Sequence, residues 1–154
     1  MNEQTKKYWD EFWQGKVAPA NVFAEQFGWE YTPLADELAR LIIDGRKTAT
    51  CSAYVLYELD NTPLPKEEVY TIILSSKDEP LAIIKTVDVQ LVPMNEITEE
   101  FAKVEGEGDL SYQHWYDGHK KFFTEELAGY GKEFSEDMLL VCEWFELVDV
   151  KEIL

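Results

Sequence analysis

Three carboxylates separated by two glycines lie in the segment from Glu105 to Asp109, with Glu107 between them. Crowded carboxylates raise one another's proton affinity, which suits acid or base catalysis or the binding of a cation. The glycines let the backbone turn or approach a ligand closely, so we predict a loop. The alternative is a flexible acidic surface loop, which composition alone favours. The spacing does not match a helix-loop-helix calcium site, and we predict neither a metal nor a cofactor.

A lysine and a hydroxyl lie three residues apart at Lys47 and Thr50, directly after Gly45 and Arg46. Positions three apart in a straight strand point to opposite faces. An ammonium and an alcohol therefore meet here only if the chain bends or if both reach one concave wall. The alternative is a solvated lysine and arginine beside a helix C-terminus, where positive charge is favourable. Composition alone favours this alternative.

An aromatic set follows the acidic segment and comprises Tyr112, Trp115, Tyr116 and His119. Aromatic faces can stack on a nucleic-acid base, and a histidine can exchange a proton near neutral pH. Such a stripe on a helix more often belongs to the core. We therefore interpret His119 first as a packing residue that satisfies one hydrogen bond, and only second as a catalytic group.

The helices that position these residues have clear local signals. Thr32 and Pro33 predict the start of a helix with a buried leucine and isoleucine stripe. Gly45 lies just past the end of this helix, where a left-handed residue turns the chain sharply. A longer helix follows the acidic segment, from Ser111 as its cap to about Leu127.

Residues typical of strands occupy 69–74, 81–92 and 139–148. Turn residues between the first two predict an antiparallel hairpin. A short helix near 96–103 and an amphipathic aromatic helix at 6–13 complete the predicted elements. Short antiparallel strands interrupted by helices indicate an α+β domain whose sheet curls into a small β-barrel.

The composition limits the classes of partner. The chain has 154 residues, 45% of them hydrophobic, which is enough to fill one core. We predict a domain at 21–154 with a helical extension, 1–20, packed on it. The net charge of −17 repels a polyanion, so neither duplex DNA nor sequence-independent nucleic-acid binding is expected. The two arginines, Arg40 and Arg46, flank Lys47 and leave one local cationic spot, which suits a small or single-stranded ligand.

The cysteines and the N-terminus indicate a cytoplasmic protein. Cys51 and Cys142 are too few and too far apart in sequence to suggest a metal site, and we predict free thiols in a reducing compartment. The N-terminal residues lack a basic region followed by an apolar run, and no stretch approaches the length that spans a bilayer. We therefore expect no membrane association.

Taken in order, the motifs resemble the ASCH family, specifically its longer bacterial branch, from about residue 23 to 148. The segments that carry the resemblance are Ala35-Asp36-Glu37-Leu38-Ala39, Gly45-Arg46-Lys47-Thr48-Ala49-Thr50, Tyr57-Glu58, Pro63-Leu64-Pro65, Glu105-Gly106-Glu107-Gly108-Asp109-Leu110-Ser111, Trp115, His119, Phe122-Phe123 and Phe134-Ser135-Glu136-Asp137-Met138. The resemblance implies a PUA-like β-barrel with a cleft that contains the family's G-x-K-x-x-[ST] motif.

The resemblance also implies a reaction. A shorter ASCH relative is an amidohydrolase that deacetylates N4-acetylcytidine and is similar in Lys47, Thr50 and Glu105. If that chemistry carries over, Thr50 is the nucleophile, Lys47 is its activator or stabilises charge, and Glu105 handles the proton or orients water. The remaining site residues implied as ligand-binding are Gly45, Arg46, Glu107, Asp109, Ser111, Trp115 and His119. The ligand expected is a small nucleoside or single-stranded RNA.

Two other functions are consistent with the resemblance. One is a non-catalytic RNA or nucleotide reader, which needs an open groove with stacking rings and basic residues and is disfavoured for long RNA by the net charge. The other is the metal-assisted RNA cleavage of some ASCH relatives, which would use the acidic segment.

Overall fold

The computed structural model of the protein describes residues 1–28, 31–108 and 110–151. Within these ranges a five-stranded sheet is flanked by helices. The elements are α1 (Glu3–Trp13), β1 (Val22–Glu25), α2 (Pro33–Ile43), β2 (Ala49–Ala53), α3 (Tyr54–Leu59), β3 (Tyr70–Leu74), β4 (Pro80–Pro93), a 3-10 turn (Met94–Glu96), α4 (Glu99–Glu105), α5 (Tyr112–Ala128) and β5 (Leu139–Val150). None of the described helices is both long and apolar enough to cross a membrane.

The strands are hydrogen-bonded in the order β1-β3-β4-β5-β2. The β1–β3 pair is parallel, and the other three pairs are antiparallel. The predicted α+β class, with a mixed sheet and flanking helices, is confirmed. The predicted β3–β4 hairpin is also present, because the turn residues between the two strands bring them back antiparallel.

Helices cover both faces of the β3–β4 hairpin. Successive side chains in a strand point to opposite faces, so Ile72 packs against Tyr8 and Trp9 of α1 while Ile73 packs against Ile42 of α2. This double coverage explains the nearly continuous apolar run in β3. The predicted N-terminal helix therefore packs on the sheet, whereas the division into 1–20 and 21–154 stays a prediction.

The final strand, β5, has the imperfect alternation that its sequence indicates. Leu140, Cys142 and Trp144 pack on one hydrophobic cluster, and Phe145 packs with α2 on the other face. Two register shifts interrupt the pairing of β5 with β4. One shift leaves Val148 of β5 unpaired and the other leaves Val87 of β4 unpaired, so the two-residue period of β5 is reset only near Val148.

The prediction that Glu105 lies in a loop is wrong. Glu105 is the last residue of α4, and its side chain is buried. Thr98 caps the start of α4 by accepting a hydrogen bond from the Phe101 amide, and Gly106 ends the helix in a left-handed conformation with φ +73°. The glycine that favoured a loop is the helix terminator, so the chain turns one residue later than predicted. The strands β1 and β2 and the helix α3 were not predicted.

Candidate active site

A sharp bend after α2 turns Lys47 into the protein. Gly45 has φ +76°, and the amides of Arg46 and Lys47 both donate to the Leu41 carbonyl, at 2.9 and 3.0 Å. The Thr48 amide then donates to the Val104 carbonyl at 2.8 Å, which ties the start of β2 to the end of α4. This bend lies before Lys47 and not between Lys47 and Thr50, so the two side chains share one site by reaching the same concave wall.

The Lys47 side chain is only 1% exposed and ends among carboxylates. Its Nζ lies 3.2 Å from Glu107 Oε2 and 3.9 Å from Glu105 Oε2, and it donates to the Glu105 carbonyl at 3.4 Å. Burial opposes protonation, yet the two carboxylates outweigh it and raise the pKa of Lys47. The interpretation of Lys47 as a solvated surface lysine is wrong, because the bend directs it inward as an ammonium.

Glu105 is the centre of this cluster, with a side chain 1% exposed. Burial alone would raise the pKa of Glu105, but the Lys47 ammonium and the His119 ring hold it well below its usual range. Burial raises the pKa of Glu107, and the neighbouring Glu105 carboxylate adds to this effect against the opposing Lys47. The two carboxylates thus have different proton affinities within one site.

His119 packs against an aromatic ring and also contacts the Glu105 carboxylate. Its ring stacks on Trp115 with centroids 4.4 Å apart, and its Nδ1 lies 2.7 Å from the Trp115 carbonyl oxygen. Its Nε2 lies 2.8 Å from Glu105 Oε2. Burial lowers the pKa of His119, but Glu105 and Glu107 more than compensate and raise it. The predicted packing role is accompanied by a direct contact with the acidic group.

These side chains line one cavity of about 380 Å³, within the size range of small-molecule sites. The lining of the cavity includes the three residues predicted as catalytic, Lys47, Thr50 and Glu105. It also includes three of the residues predicted to bind ligand, Glu107, Trp115 and His119. The other lining residues are Gly28, Leu34, Leu38, Cys51, His114, Gly118, Lys121, Phe122 and Glu125.

Four residues predicted to bind ligand are not among the lining residues. Gly45 and Arg46 are exposed on the outer side of the bend. Ser111 is the cap of α5, as predicted, and accepts a hydrogen bond from the His114 amide at 3.1 Å. Asp109 lies outside the described residues. The ligand-binding roles of these four stay predictions.

Cys51 is one of the lining residues that the sequence did not assign to the site. It follows Thr50 in β2 and is paired in register with Cys142 of β5. Burial raises the pKa of the Cys51 thiol well above its ordinary value. The ligand atoms of Cys51, Glu105 and His119 all lie within 4.8 Å of one another, so these three residues could hold a metal ion. Its position next to Thr50 was the one available signal.

A second cavity, of about 280 Å³, contains a carboxylate that suits a stability test. Burial, reinforced by the neighbouring Glu25, raises the pKa of Glu143 to about 7, with Tyr57 also close. The folded chain thus holds this proton more tightly than the unfolded chain does, so the Glu143 contribution to stability is lost as the pH rises from about 4.5 to about 7.

We expect Glu143→Gln to raise the free energy of unfolding by about 1–3 kcal/mol at pH 8 and to leave it nearly unchanged at pH 4.5. Urea unfolding at the two pH values measures this difference. Glu146→Gln, at an exposed position of the same strand, is the control and should give no gain that depends on pH. An equal gain for Glu143→Gln at both pH values would exclude titration as its cause.

Comparison with known proteins identifies relatives. Residues 24–149 match the family model of the ASCH domain. A protein from Enterococcus faecalis V583, known from its crystal structure, has 40% sequence identity to this chain. The match covers 97% of this chain and 91% of that chain, with a TM-score of 0.86. The ASCH domain from Lactobacillus crispatus JV V101 is 31% identical, with coverages of 97% and 96% and a TM-score of 0.88.

A more distant structure, ASCH from Zymomonas mobilis, is 12% identical and covers 84% of this chain and 71% of that chain. Its TM-score of 0.50 indicates similarity of fold alone. No curated protein matches the sequence.

Proposed function

This chain belongs to the ASCH domain family, which has a PUA-like fold, and from that premise we propose that it is an amidohydrolase acting on an N-acylated, cytidine-like nucleoside. The observation that carries the proposal is the lining of one cavity by Lys47, Thr50 and Glu105. These side chains supply an ammonium, an alcohol and a carboxylate, which are the groups that acyl transfer from an amide requires.

The contacts of each group suggest its role. Lys47 is paired with two carboxylates, so we propose that it stabilises the negative charge on the carbonyl oxygen as an ammonium, rather than acting as a base. Thr50 is half-buried, and no hydrogen bond joins its hydroxyl to another described residue, so the hydroxyl is free to attack. Lys47 and His119 lower the pKa of Glu105 and keep it ionised but weakly basic, so we propose that it takes the hydroxyl proton only as Lys47 turns its charge toward the forming oxyanion.

The proposed reaction has two stages. The Thr50 oxygen attacks the acyl carbonyl, its proton passes to the Glu105 carboxylate, and the resulting oxyanion is stabilised by Lys47. Glu105 then donates the proton to the departing amine of the base, which leaves an ester on Thr50. Water, deprotonated by the same carboxylate, hydrolyses the ester and releases the carboxylic acid, and the Thr50 hydroxyl is restored.

The cavity supports a single nucleoside better than a polymer. Its volume of about 380 Å³ suits one small ligand, and its wall combines aromatic surface at Trp115 and Phe122 with the polar cluster. The net charge of −17 would repel a long RNA, whereas an uncharged nucleoside pays no such electrostatic cost.

The test is the release of cytidine from N4-acetylcytidine by the purified full chain, followed by liquid chromatography. Thr50→Val removes the hydroxyl at nearly constant volume, and we expect kcat/KM to fall at least about a thousandfold. Thr50→Ser keeps the hydroxyl and should retain much of the activity. Thr124→Ala, on the exposed surface of α5, controls for unspecific effects. Turnover by Thr50→Val at the wild-type rate would exclude this mechanism.

The second candidate is a non-catalytic nucleotide or RNA reader, because ASCH domains are associated with RNA binding and Lys121 lies at the same cavity. Binding of a nucleotide without turnover would favour this function. Phosphate contacts would make the affinity fall steeply as the salt concentration rises, whereas binding of an uncharged nucleoside would change little.

A further inference from the structure

The side chains of Cys51, Glu105 and His119 converge from three different elements. Cys51 comes from β2, Glu105 from the last residue of α4, and His119 from the middle of α5. Their sulfur, oxygen and nitrogen atoms all lie within 4.8 Å of one another. A thiol, a carboxylate and an imidazole are the three ligand types that Zn²⁺ takes in proteins.

The hydrogen bond at the far side of the His119 ring orients the ring toward the cluster. A backbone carbonyl oxygen can only accept, so the 2.7 Å contact with the Trp115 oxygen places a proton on His119 Nδ1. The 2.8 Å contact of Nε2 with Glu105 Oε2 is a hydrogen bond that needs a proton on Nε2, and loss of that proton frees the Nε2 lone pair to bind a metal ion. A histidine that ligates a metal almost always has this second interaction, with its other N–H donating to a carbonyl or carboxylate.

Glu105 has an unused oxygen at the same place. Its side chain is 1% exposed, and Oε1 is buried without a hydrogen-bond partner among the described residues. A buried carboxylate oxygen normally accepts a hydrogen bond or binds a cation, since leaving it without either costs free energy. Oε1 is therefore an acceptor position open to a cation, in addition to the Lys47 ammonium and the His119 ring that lie near Oε2.

The charges around the cluster balance once a divalent ion is present. Lys47 Nζ lies 3.9 Å from Glu105 Oε2 and would repel a cation by itself. A divalent ion and this ammonium together carry three positive charges. The Cys51 thiolate, Glu105 and Glu107, whose Oε2 lies 3.2 Å from Lys47, carry three negative charges. The buried site is then neutral, with His119 in its neutral form.

We propose that Cys51, Glu105 and His119 bind one divalent transition-metal ion of the Zn²⁺ class in the wall of the cavity. On binding, the Cys51 S–H bond and the His119 Nε2–H bond break, both protons leave to solvent, and metal–sulfur and metal–nitrogen bonds form. Three protein ligands leave a fourth tetrahedral position that faces the cavity, where water or a ligand can bind.

The separation of the nitrogen and oxygen ligand atoms needs only a small adjustment for tetrahedral coordination. Tetrahedral coordination with metal–nitrogen and metal–oxygen bonds of about 2.0–2.1 Å separates the two ligand atoms by about 3.4 Å. His119 Nε2 and Glu105 Oε2 lie 2.8 Å apart, so they must separate by about 0.6 Å. A rotation of the Glu105 carboxylate about its last bond supplies this movement, because that torsion is broad.

The chain provides a matched control for Cys51, because its second cysteine, Cys142, does not line the cavity. Reduced protein stripped with a chelator is titrated with Zn²⁺ by calorimetry, and with Co²⁺ while the thiolate-to-metal absorption is recorded. We expect one ion per chain and a Co²⁺–thiolate band. Cys51→Ala should abolish the band, and both Cys51→Ala and His119→Gln should weaken Zn²⁺ binding at least about 100-fold. Cys142→Ala should bind Zn²⁺ like the wild type.

Absence of Zn²⁺ binding to the folded wild-type chain would overturn the proposal. Binding that survives Cys51→Ala without a thiolate band would also overturn it, since the ion would then sit on surface carboxylates. If His119→Gln fails to fold, as circular dichroism would reveal, Cys51→Ala and the Co²⁺ spectrum decide the question alone.

The metal proposal does not depend on the amidohydrolase proposal. Hydrolysis by Thr50 and Glu105 needs a free carboxylate, so it is measured on chelator-treated protein, whereas metal affinity is measured without substrate. Failure of either experiment therefore leaves the other proposal standing.

Discussion

Replacing Lys47 with alanine is expected to lower the free energy of unfolding by about 3–5 kcal/mol. Lys47 and Glu105 are both 1% exposed, and the ammonium also lies 3.2 Å from Glu107. Removing the ammonium leaves the charge of the 1% exposed Glu105 side chain without its lysine partner, and it opens space where the lysine stem packed. Urea unfolding of the purified variant measures the loss.

Two further variants define the cause of this loss. Replacing both partners, as Lys47→Met with Glu105→Gln, should recover much of the stability, because two buried charges are replaced by neutral groups of similar volume. Lys85→Ala breaks a shorter ion pair, 2.7 Å to Glu68, whose glutamate is 75% exposed, and should have a far smaller effect. A loss for Lys47→Ala no larger than that for Lys85→Ala would contradict the buried-pair interpretation.

Gly106→Ala is expected to cost about 3 kcal/mol and to disrupt the site. Gly106 ends α4 with φ +73°, a conformation that strains an alanine. An added Cβ would also overlap the Arg46 carbonyl group and approach the Lys47 amide. Relief of this overlap must separate the end of α4 from the bend after α2, which moves Glu105 away from Lys47.

Gly45→Ala is the matched control for this prediction. Gly45 has φ +76°, nearly the same backbone conformation, but a Cβ added at Gly45 would meet no described atom within 4 Å outside its chain neighbours. The strain is therefore similar and the overlap is absent, so we expect a loss of only about 1 kcal/mol. Thermal unfolding of the two variants side by side measures the difference. Equal losses would show that backbone strain, and not the contact with Arg46, determines the effect at Gly106.

Several elements could be predicted because their signals are local. The start of α2 at Pro33 and the start of α5 after Ser111 depend on neighbours within one helical turn. The left-handed turn at Gly45 likewise needs only the absence of a side chain. The β3–β4 hairpin joins strands that are adjacent in sequence, so its turn residues determine its pairing.

The strand β2 could not be predicted, since its five residues, Ala49–Ala53, are small or polar and lack the usual strand composition. It is a strand because it pairs with β5, which places Ala49 opposite Trp144 more than ninety positions later. The four-residue β1 depends in the same way on its parallel partner β3. Pairing over such distances is a property of the whole sheet and leaves little trace in the segment itself.

The sequence by itself determined the family resemblance, the α+β class and the types of groups that could do chemistry, including Lys47, Thr50 and Glu105. These follow from residue identity and from short-range rules of capping and turn formation. Only the tertiary structure decided that Lys47 is buried, that it meets partners 58 and 60 positions away, and that Cys51 and His119 converge on Glu105. Burial and long-range electrostatics depend on how α4, α5 and β2 pack together, which no local pattern encodes.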